Sequence, residues 1–195
     1  EGRLSHPVVP PPDPPPGAVA DRLAGPDPLG YPGAVLLRFM PGPGREAGLP
    51  LRVLCLGAHP DDIEIGCGGA LLRLQRDWAV GGLPGLNIRY VTFSGTPERE
   101  AEARASAAAL LSEAAASSVE VLHFRDGRFP WQGEAIKDAL EVEKRNFGPD
   151  LIFTHHRTDL HQDHAMLAAA TWQTFRDHAI LEYEIPKYEG DLGQP

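Results

Sequence analysis

The amino-acid sequence predicts an α/β protein with a Rossmann-like three-layer α/β/α fold and a mostly parallel sheet. From residue 51 onward, short apolar segments with the length of buried strands alternate with longer segments that have helical spacing. Alternation of this kind builds βαβ units, whose right-handed crossovers cover a parallel sheet on both faces. The carboxyl ends of the strands then share one edge of the sheet, where ligands bind in such folds.

Each predicted element follows from its local pattern. The predicted strands are residues 52–57, 87–93, 119–124 and 150–154, with a last extended run at 180–188. The predicted helices are a segment containing Ala70, Leu71, Leu74 and Trp78, then residues 98–114, then residues 133–147, and a segment opening near His161. We expect Thr96 to be the N-cap of the second helix, because Pro97 suits the first helical position.

The first fifty residues have a different composition and contain thirteen of the twenty prolines. The run PPPDPPP at residues 10–16 favours extended or polyproline II structure. We therefore divide the chain into a Pro-rich N-terminal arm, residues 1–50, and a folded α/β domain, residues 51–195. A Pro-rich ligand for a partner domain is the alternative for the arm, but the apolar segment 34–39 favours packing as a strand or anchor.

Charge and cysteine content narrow the functional classes. The 195-residue chain has a formal net charge of −9 at pH 7, which argues against a nucleic-acid binder and against docking on an anionic membrane. No apolar run is long enough to span a bilayer, so we expect no stable membrane insertion. The only two cysteines, Cys55 and Cys67, argue against a disulfide framework. With no secretory signal visible, we expect a cytoplasmic protein, and the sequence does not indicate its oligomeric state.

Two polar clusters follow predicted strands. The stretch GAHPDDIEIGCGG, residues 57–69, directly follows the first strand, and THHRTDLHQDH, residues 154–164, follows the fourth. Acidic residues at the end of a buried strand are costly unless something pairs with them. In the common strand order 3-2-1-4 the first and fourth strands are neighbours, so we expect both clusters to face one crevice.

The two clusters contain the side chains of a catalytic metal site. His59, Asp62 and His164 offer two imidazoles and one carboxylate, a set typical of catalytic zinc with one open position. Fe²⁺ uses the same ligands, so ligand type alone leaves the metal open. Asp61 is then placed to accept a proton from a water in the open position, whose pKa zinc lowers. His161 is a candidate for protonating a leaving group or stabilising an oxyanion.

Each motif also has a structural interpretation when taken alone. His-x-x-His is common in helices, and Asp-Asp after a strand is often a solvated turn or a helix cap. Gly66-Cys-Gly-Gly69 resembles a phosphate-binding loop, but a complete G-x-G-x-x-G is missing, and the glycines suit a close approach of helix and sheet. The expected meeting of both clusters at adjacent strand ends favours the metal site.

The paired motifs AHPDDIE and HQDH resemble the PIG-L/LmbE family of zinc-dependent N-acetyl-sugar deacetylases, over roughly residues 51–175. The resemblance implies that His59, Asp62 and His164 bind zinc, that Asp61 is the general base and that His161 assists at the tetrahedral intermediate. Weaker implied or inferred assignments are Arg99 and Asp126 as substrate contacts, and Glu64, Asp163 and His156 as residues behind the ligands. Family members usually continue beyond the position of Pro195, so we expect a domain incomplete at its C-terminus.

The sequence thus predicts a metal-dependent hydrolase that removes acetyl from an N-acetylglucosamine-type sugar or glycoconjugate. The substrate is expected to be a sugar on a lipid, thiol precursor, glycan or natural product. One alternative keeps the zinc and acts on a non-sugar amide in natural-product biosynthesis. A non-catalytic binding module would need neither Asp61 nor His161, and a nucleotide-binding domain is disfavoured by the incomplete glycine fingerprint.

Overall fold

Strand β1 (Leu51–Gly57) is apolar on both faces from Val53 onward, as expected of a strand at the centre of the sheet. The computed structural model describes residues 48–186. After β1 the elements are α1 (Asp62–Val80), β2 (Leu86–Thr92), α2 (Pro97–Leu110), β3 (Ala116–Val121), a 3₁₀ turn (Phe129–Trp131), α3 (Gly133–Asn146), β4 (Leu151–His155), α4 (Gln162–Thr174) and β5 (Ala179–Tyr183).

The five strands form one sheet in the order β3-β2-β1-β4-β5, and every paired strand is parallel. This confirms the predicted α/β class with a parallel sheet flanked by helices. The chain order reverses at β1, so β1 and β4 are neighbours, in the register Val53–Leu151 to Cys55–Phe153. The loops that follow β1 and β4 therefore leave the sheet side by side.

The main core lies between one face of the sheet and the helices α3 and α4. Leu54 and Leu56 alternate with residues that point to the opposite face, as the two-residue period of a strand requires. They pack in one buried cluster with Phe93, Phe129, Ile136, Leu140, Ile152, Leu167, Ala170 and Phe175. The cluster reaches the polar loops at the carboxyl edge, because its member Phe129 stacks with the imidazole of His59, with ring centroids 6.2 Å apart.

The third strand is earlier than predicted. The pattern predicted residues 119–124, whereas β3 spans Ala116–Val121 and begins with three exposed small residues. These residues form a strand because β2 offers them a ladder of hydrogen-bonding groups, from Asn87 to Thr92. Leu122 and Phe124, which suggested the later strand, continue as extended chain and pack against the core.

Several element ends agree with the local signals and others do not. Thr96 caps α2 by accepting a hydrogen bond from the Arg99 amide, as predicted, but α2 ends at Leu110 and not at residue 114. β5 ends at Tyr183, five residues before the predicted end. The predicted packing segment 34–39, and the arm as far as residue 47, lie outside the described residues. Within residues 48–186, no helix is long and apolar enough to cross a membrane.

Candidate metal centre

Hydrogen bonds to backbone groups hold the loop after β1 in one conformation. The carbonyl of the buried residue Ala58 accepts hydrogen bonds from both the amide and the hydroxyl of Ser94, at 3.0 and 2.7 Å. The amide of His59 donates to Asp62 Oδ2 at 2.7 Å, so the first residue of α1 closes the loop back on itself. These bonds fix the direction in which the imidazole of His59 and the carboxylate of Asp62 leave the chain.

The loop after β4 is organised around the carboxylate of Asp159. Its Oδ1 accepts the amide of His161 at 2.8 Å, and its Oδ2 lies 2.8 Å from Nδ1 of His164. His161 is the N-cap of α4 and not a residue of the helix, because its Nδ1 accepts the amide of Asp163 at 3.2 Å. His164 belongs to the first turn of α4 and is almost completely buried.

The three predicted ligands meet at one point. Nδ1 of His59 lies 3.1 Å from Nε2 of His164 and 3.2 Å from Asp62 Oδ2. Nε2 of His164 lies 3.5 Å from Asp62 Oδ1. At these separations two imidazole nitrogens and a carboxylate oxygen share one small space, where a proton or a metal cation can be held between them.

The outer nitrogens of both imidazoles face carboxylates. Nδ1 of His164 is held by Asp159, while Nε2 of His59 lies 3.1 Å from Asp126 Oδ1 and 3.5 Å from Asp163 Oδ2. The two contacts of His59 are close enough for a charge interaction but lack hydrogen-bond geometry. Metal-binding histidines typically have such a carboxylate behind them, because it fixes the ring and raises its basicity.

The pKa values of His59, His161 and His164 are shifted in different directions by their surroundings. Burial and the neighbouring His155 lower the pKa of His164 to about 4, so this ring is neutral at pH 7, the form that binds a metal. Burial also lowers the pKa of His59, but the carboxylates of Asp62, Asp126 and Asp163 outweigh it and the net shift is upward. The pKa of His161 is lowered by burial and by the nearby His59.

Asp61 lies beside this cluster and remains accessible. It is the N-cap residue of α1, and its carboxylate is more than half exposed, 3.2 Å from Nη2 of Arg99. Both residues line a pocket of about 410 Å³ that also contains the three predicted ligands, His161 and Asp126. The structure thus brings the predicted base and both predicted substrate contacts to the mouth of the same pocket.

The pocket has an apolar side as well. Ile65, Phe124 and Ile185 line it together with the polar groups. The side chain of Ile65 is 58% exposed, although it is an apolar residue one turn into α1. A ligand in this pocket would therefore meet carboxylates and imidazoles on one side and aliphatic or aromatic carbon on the other.

Asp163 has a further task, which the sequence did not indicate. Its wholly buried carboxylate accepts the amide of Gly127 at 2.6 Å and the amide of Phe129 at 3.0 Å. Gly127 has φ +70°, a left-handed conformation that favours glycine at this turn. Asp163 therefore holds the segment that presents Asp126 to His59.

The remaining two weak candidates have other contacts. The hydroxyl of Tyr90 donates a hydrogen bond to the carboxylate of Glu64 at 2.6 Å. Glu64 thus links the first turn of α1 to strand β2. His156 contacts Thr158 Oγ1 at 2.9 Å and Glu182 Oε2 at 3.5 Å. Among the residues that the structure describes, neither side chain has a hydrogen bond or an ion pair with a predicted metal ligand.

Sequence reasoning left two buried neighbours of the site without a role. His155, the last residue of β4, is fully buried between Asp62 and His164, and Asp159 is the partner of His164 described above. The position of His155 at the end of a predicted buried strand was a usable signal. A buried imidazole cannot bind water there and needs a polar partner within the protein. The signal for Asp159 was its position just before the capped start of α4.

A metal fits the donor set. Ligand atoms of three overlapping groups lie within 4.8 Å of one another in the described part of the chain: His59, His161 and His164; Asp62, His155 and His164; and His59, Asp126 and Asp163. The predicted ligands span the first two of these groups. Imidazole nitrogen with carboxylate oxygen is the chemistry of zinc and of non-haem iron, and does not suit Ca²⁺ or Mg²⁺.

Comparison with known proteins gives the relationships of the chain. Residues 54–175 match the family described as PIG-L: GlcNAc-PI de-N-acetylase. The uncharacterized deacetylase YaiS of Escherichia coli strain K12 is 33% identical over 147 residues, which cover 69% of this chain and 74% of YaiS.

Two solved structures share the fold. The conserved protein TT1542 from Thermus thermophilus is 26% identical, with a TM-score of 0.50 over 72% of this chain and 69% of that one. The zinc-inhibited form of the teicoplanin deacetylase Orf2 has a TM-score of 0.58 over 74% of this chain and 73% of that one, and its 15% identity makes this a likeness of fold alone. Since the family match extends over more than half of the chain and the Escherichia coli relative over more than two thirds of it, this protein belongs to the PIG-L (GlcNAc-PI de-N-acetylase) family of deacetylases.

Proposed function

We propose that this protein is a zinc-dependent N-deacetylase that hydrolyses the acetamide of an N-acetylglucosamine-type sugar or glycoconjugate. The observation that supports this most strongly is the meeting of His59, Asp62 and His164 beside the accessible carboxylate of Asp61. A site for metal storage alone would need neither an exposed carboxylate such as that of Asp61 nor a further imidazole such as that of His161 beside the ligands. Family membership supports the reaction class, and the pocket supports a small or conjugated sugar as substrate.

His59, Asp62 and His164 would hold the metal. When bound there, a divalent cation supplies Lewis acidity, which polarises an amide carbonyl and lowers the pKa of water. Asp61 takes the proton of the attacking water, because its carboxylate is accessible and lies on the residue next to a ligand. Arg99, 3.2 Å from Asp61, keeps this carboxylate at the mouth of the pocket and offers donors to hydroxyl or phosphate oxygens of the substrate.

His161 acts on the other side of the reacting carbonyl. Its Nδ1 accepts the Asp163 amide, so the neutral imidazole carries its proton on Nε2. The lowered pKa keeps this ring neutral near pH 7, which favours donation of a hydrogen bond to the oxyanion over full protonation. The proton that Asp61 took from water is then passed to the sugar nitrogen, the C–N bond breaks, and acetate and a free amine are released.

The substitution Asp61→Asn tests the proposal. It preserves the size of the side chain and leaves the three ligands in place, so we expect wild-type zinc content by elemental analysis. Turnover should fall by about 10²- to 10⁴-fold, the usual worth of a general base. Asp77→Asn, which removes an exposed carboxylate from the outer part of α1, is the matched control and should keep wild-type activity.

Activity should be measured as acetate release from a panel of N-acetyl sugars and unrelated N-acetyl amides. Full activity of Asp61→Asn would show that another group is the base. Stoichiometric zinc without acetate release from any sugar would refute the sugar substrate, and release from the other amides alone would identify the non-sugar amidohydrolase.

A further inference from the structure

We propose that His155 is a positioning residue that orients both Asp62 and His164 for the metal without being a ligand itself. This inference rests on the proposed metal site and is independent of the substrate. His155 is the last residue of β4, and none of its side chain is exposed. It lies at the seam between β1 and β4, where the two ligand-bearing loops leave the sheet.

The first contact of His155 is with the β1–α1 loop. Its Nε2 accepts the amide of Ala58 at 3.0 Å, and the next amide along the chain, that of His59, donates to Asp62 Oδ2 at 2.7 Å. Two consecutive amides therefore hold an imidazole and a carboxylate side by side. Nε2 of His155 and Oδ2 of Asp62 are 3.1 Å apart as a result.

Both oxygens of Asp62 are positioned by neighbouring groups. Oδ2 accepts the His59 amide, lies against the imidazole edge of His155 and is 3.2 Å from Nδ1 of His59. Oδ1 is the oxygen 3.5 Å from Nε2 of His164. Removing the imidazole of His155 would remove the group that Oδ2 packs against and leave the carboxylate space to rotate.

The second contact is with the ring of His164. The two imidazoles are stacked, with centroids 3.9 Å apart and planes 11° apart. Asp159 holds Nδ1 of His164 by a hydrogen bond. The ring of His164 is therefore fixed by the stacked ring of His155 on one face and by Asp159 at Nδ1. A non-planar or smaller side chain at position 155 would leave space into which the His164 ring could tilt.

His155 itself is poorly placed to bind a metal. The backbone fixes the direction of the Ala58 amide hydrogen, so we assign Nε2 as its acceptor, and the neutral ring then carries its proton on Nδ1, which is buried without a hydrogen-bond partner among the described residues. The hydroxyl of Tyr183 lies 3.4 Å from the same Nε2 and donates to the carbonyl of Leu56 at 2.7 Å. The lone pair of Nε2 is thus used within the protein, although its position allows a three-ligand group with Asp62 and His164.

The test compares His155→Leu with His155→Gln, whose amide oxygen can still accept the Ala58 amide. Zinc affinity, measured by competition with a chromophoric chelator, should fall by about 10- to 100-fold in His155→Leu and by less in His155→Gln. The visible absorption of the Co²⁺-substituted variants should shift relative to the wild type. Asp77→Asn, on the outer part of α1, is the control and should keep wild-type affinity.

X-ray absorption of the zinc-loaded wild type completes the experiment, and two imidazoles per zinc are expected. Three imidazoles would make His155 a ligand and overturn the inference. Wild-type affinity with an unchanged cobalt spectrum in folded His155→Leu would also overturn it. If His155→Leu does not fold, His155→Met, which is also non-planar and cannot accept the Ala58 amide, takes its place, and wild-type affinity with an unchanged cobalt spectrum in that variant would overturn the inference. A wild type that binds no zinc would instead refute the proposed metal site.

Discussion

Replacing Gly66 by alanine would place a methyl group against the ring of Tyr183. A Cβ built on Gly66 lies 2.1 Å from Cδ2 and 2.6 Å from Cε2 of that ring, well inside any real carbon–carbon contact. Tyr183 is 5% exposed, and its hydroxyl donates to the Leu56 carbonyl, so the ring has no room to retreat. Gly69, three residues further along α1, has nothing within 4 Å of the same virtual Cβ.

The two substitutions should therefore change the free energy of unfolding in opposite directions. Alanine is favoured over glycine in a helix by about 1 kcal/mol, and both positions receive this benefit. Overpacking a buried contact costs about 3 kcal/mol at the upper end, so Gly66→Ala should lower the free energy of unfolding by about 2 kcal/mol. For a chain of 195 residues, this is a decrease in Tm of about 4–8 °C, whereas Gly69→Ala should raise Tm by about 2–4 °C.

Thermal unfolding followed by circular dichroism, with urea titration at 25 °C, measures both effects. In a Tyr183→Leu background the cost of Gly66→Ala should shrink, and a double-mutant cycle gives the coupling directly. An unchanged or raised Tm for Gly66→Ala, or a cost that persists without the Tyr183 ring, would refute the argument that the ring requires glycine at this position.

Two further predictions concern the site and the core. Asp159→Asn should weaken zinc binding by about 10- to 100-fold. The amide has only one oxygen and cannot accept at both positions, from the His161 amide and from Nδ1 of His164. Equal zinc affinities of Asp159→Asn and the control Asp77→Asn would contradict this. Cys55 and Cys67 are buried, and burial raises the pKa of both thiols, so native protein at pH 8 should resist iodoacetamide while urea-unfolded protein takes up two labels by mass spectrometry. Rapid labelling of either thiol without urea would show that the region opens.

The sequence was sufficient for the parts of the molecule that rest on local signals. The apolar run of β1 and the Thr96-Pro97 helix start predicted elements that the structure contains. The neighbouring positions of β1 and β4 followed from the rules of parallel sheets, and with them the meeting of His59 with His164.

Features that depend on a distant partner were not predicted. β3 begins among exposed alanine and serine because β2 pairs with them, and no local hydrophobic pattern records that pairing. The roles of His155 and Asp159 require knowing which side chains surround them in three dimensions. The same limit applies to Gly66, whose importance depends on a tyrosine in the last strand.

The pairing of β1 with β4 also affects how the chain unfolds. His59 and His164 are 105 residues apart in sequence, so their encounter requires a long loop to close before any ligand set exists. Contacts between such distant segments form slowly, and a cation held by them is bound only once the central strands are paired. A bound ion that forms no contacts in the folding transition state would leave the folding rate unchanged and slow unfolding. The lifetime of the native state, rather than the speed of reaching it, would then depend on the occupancy of this site.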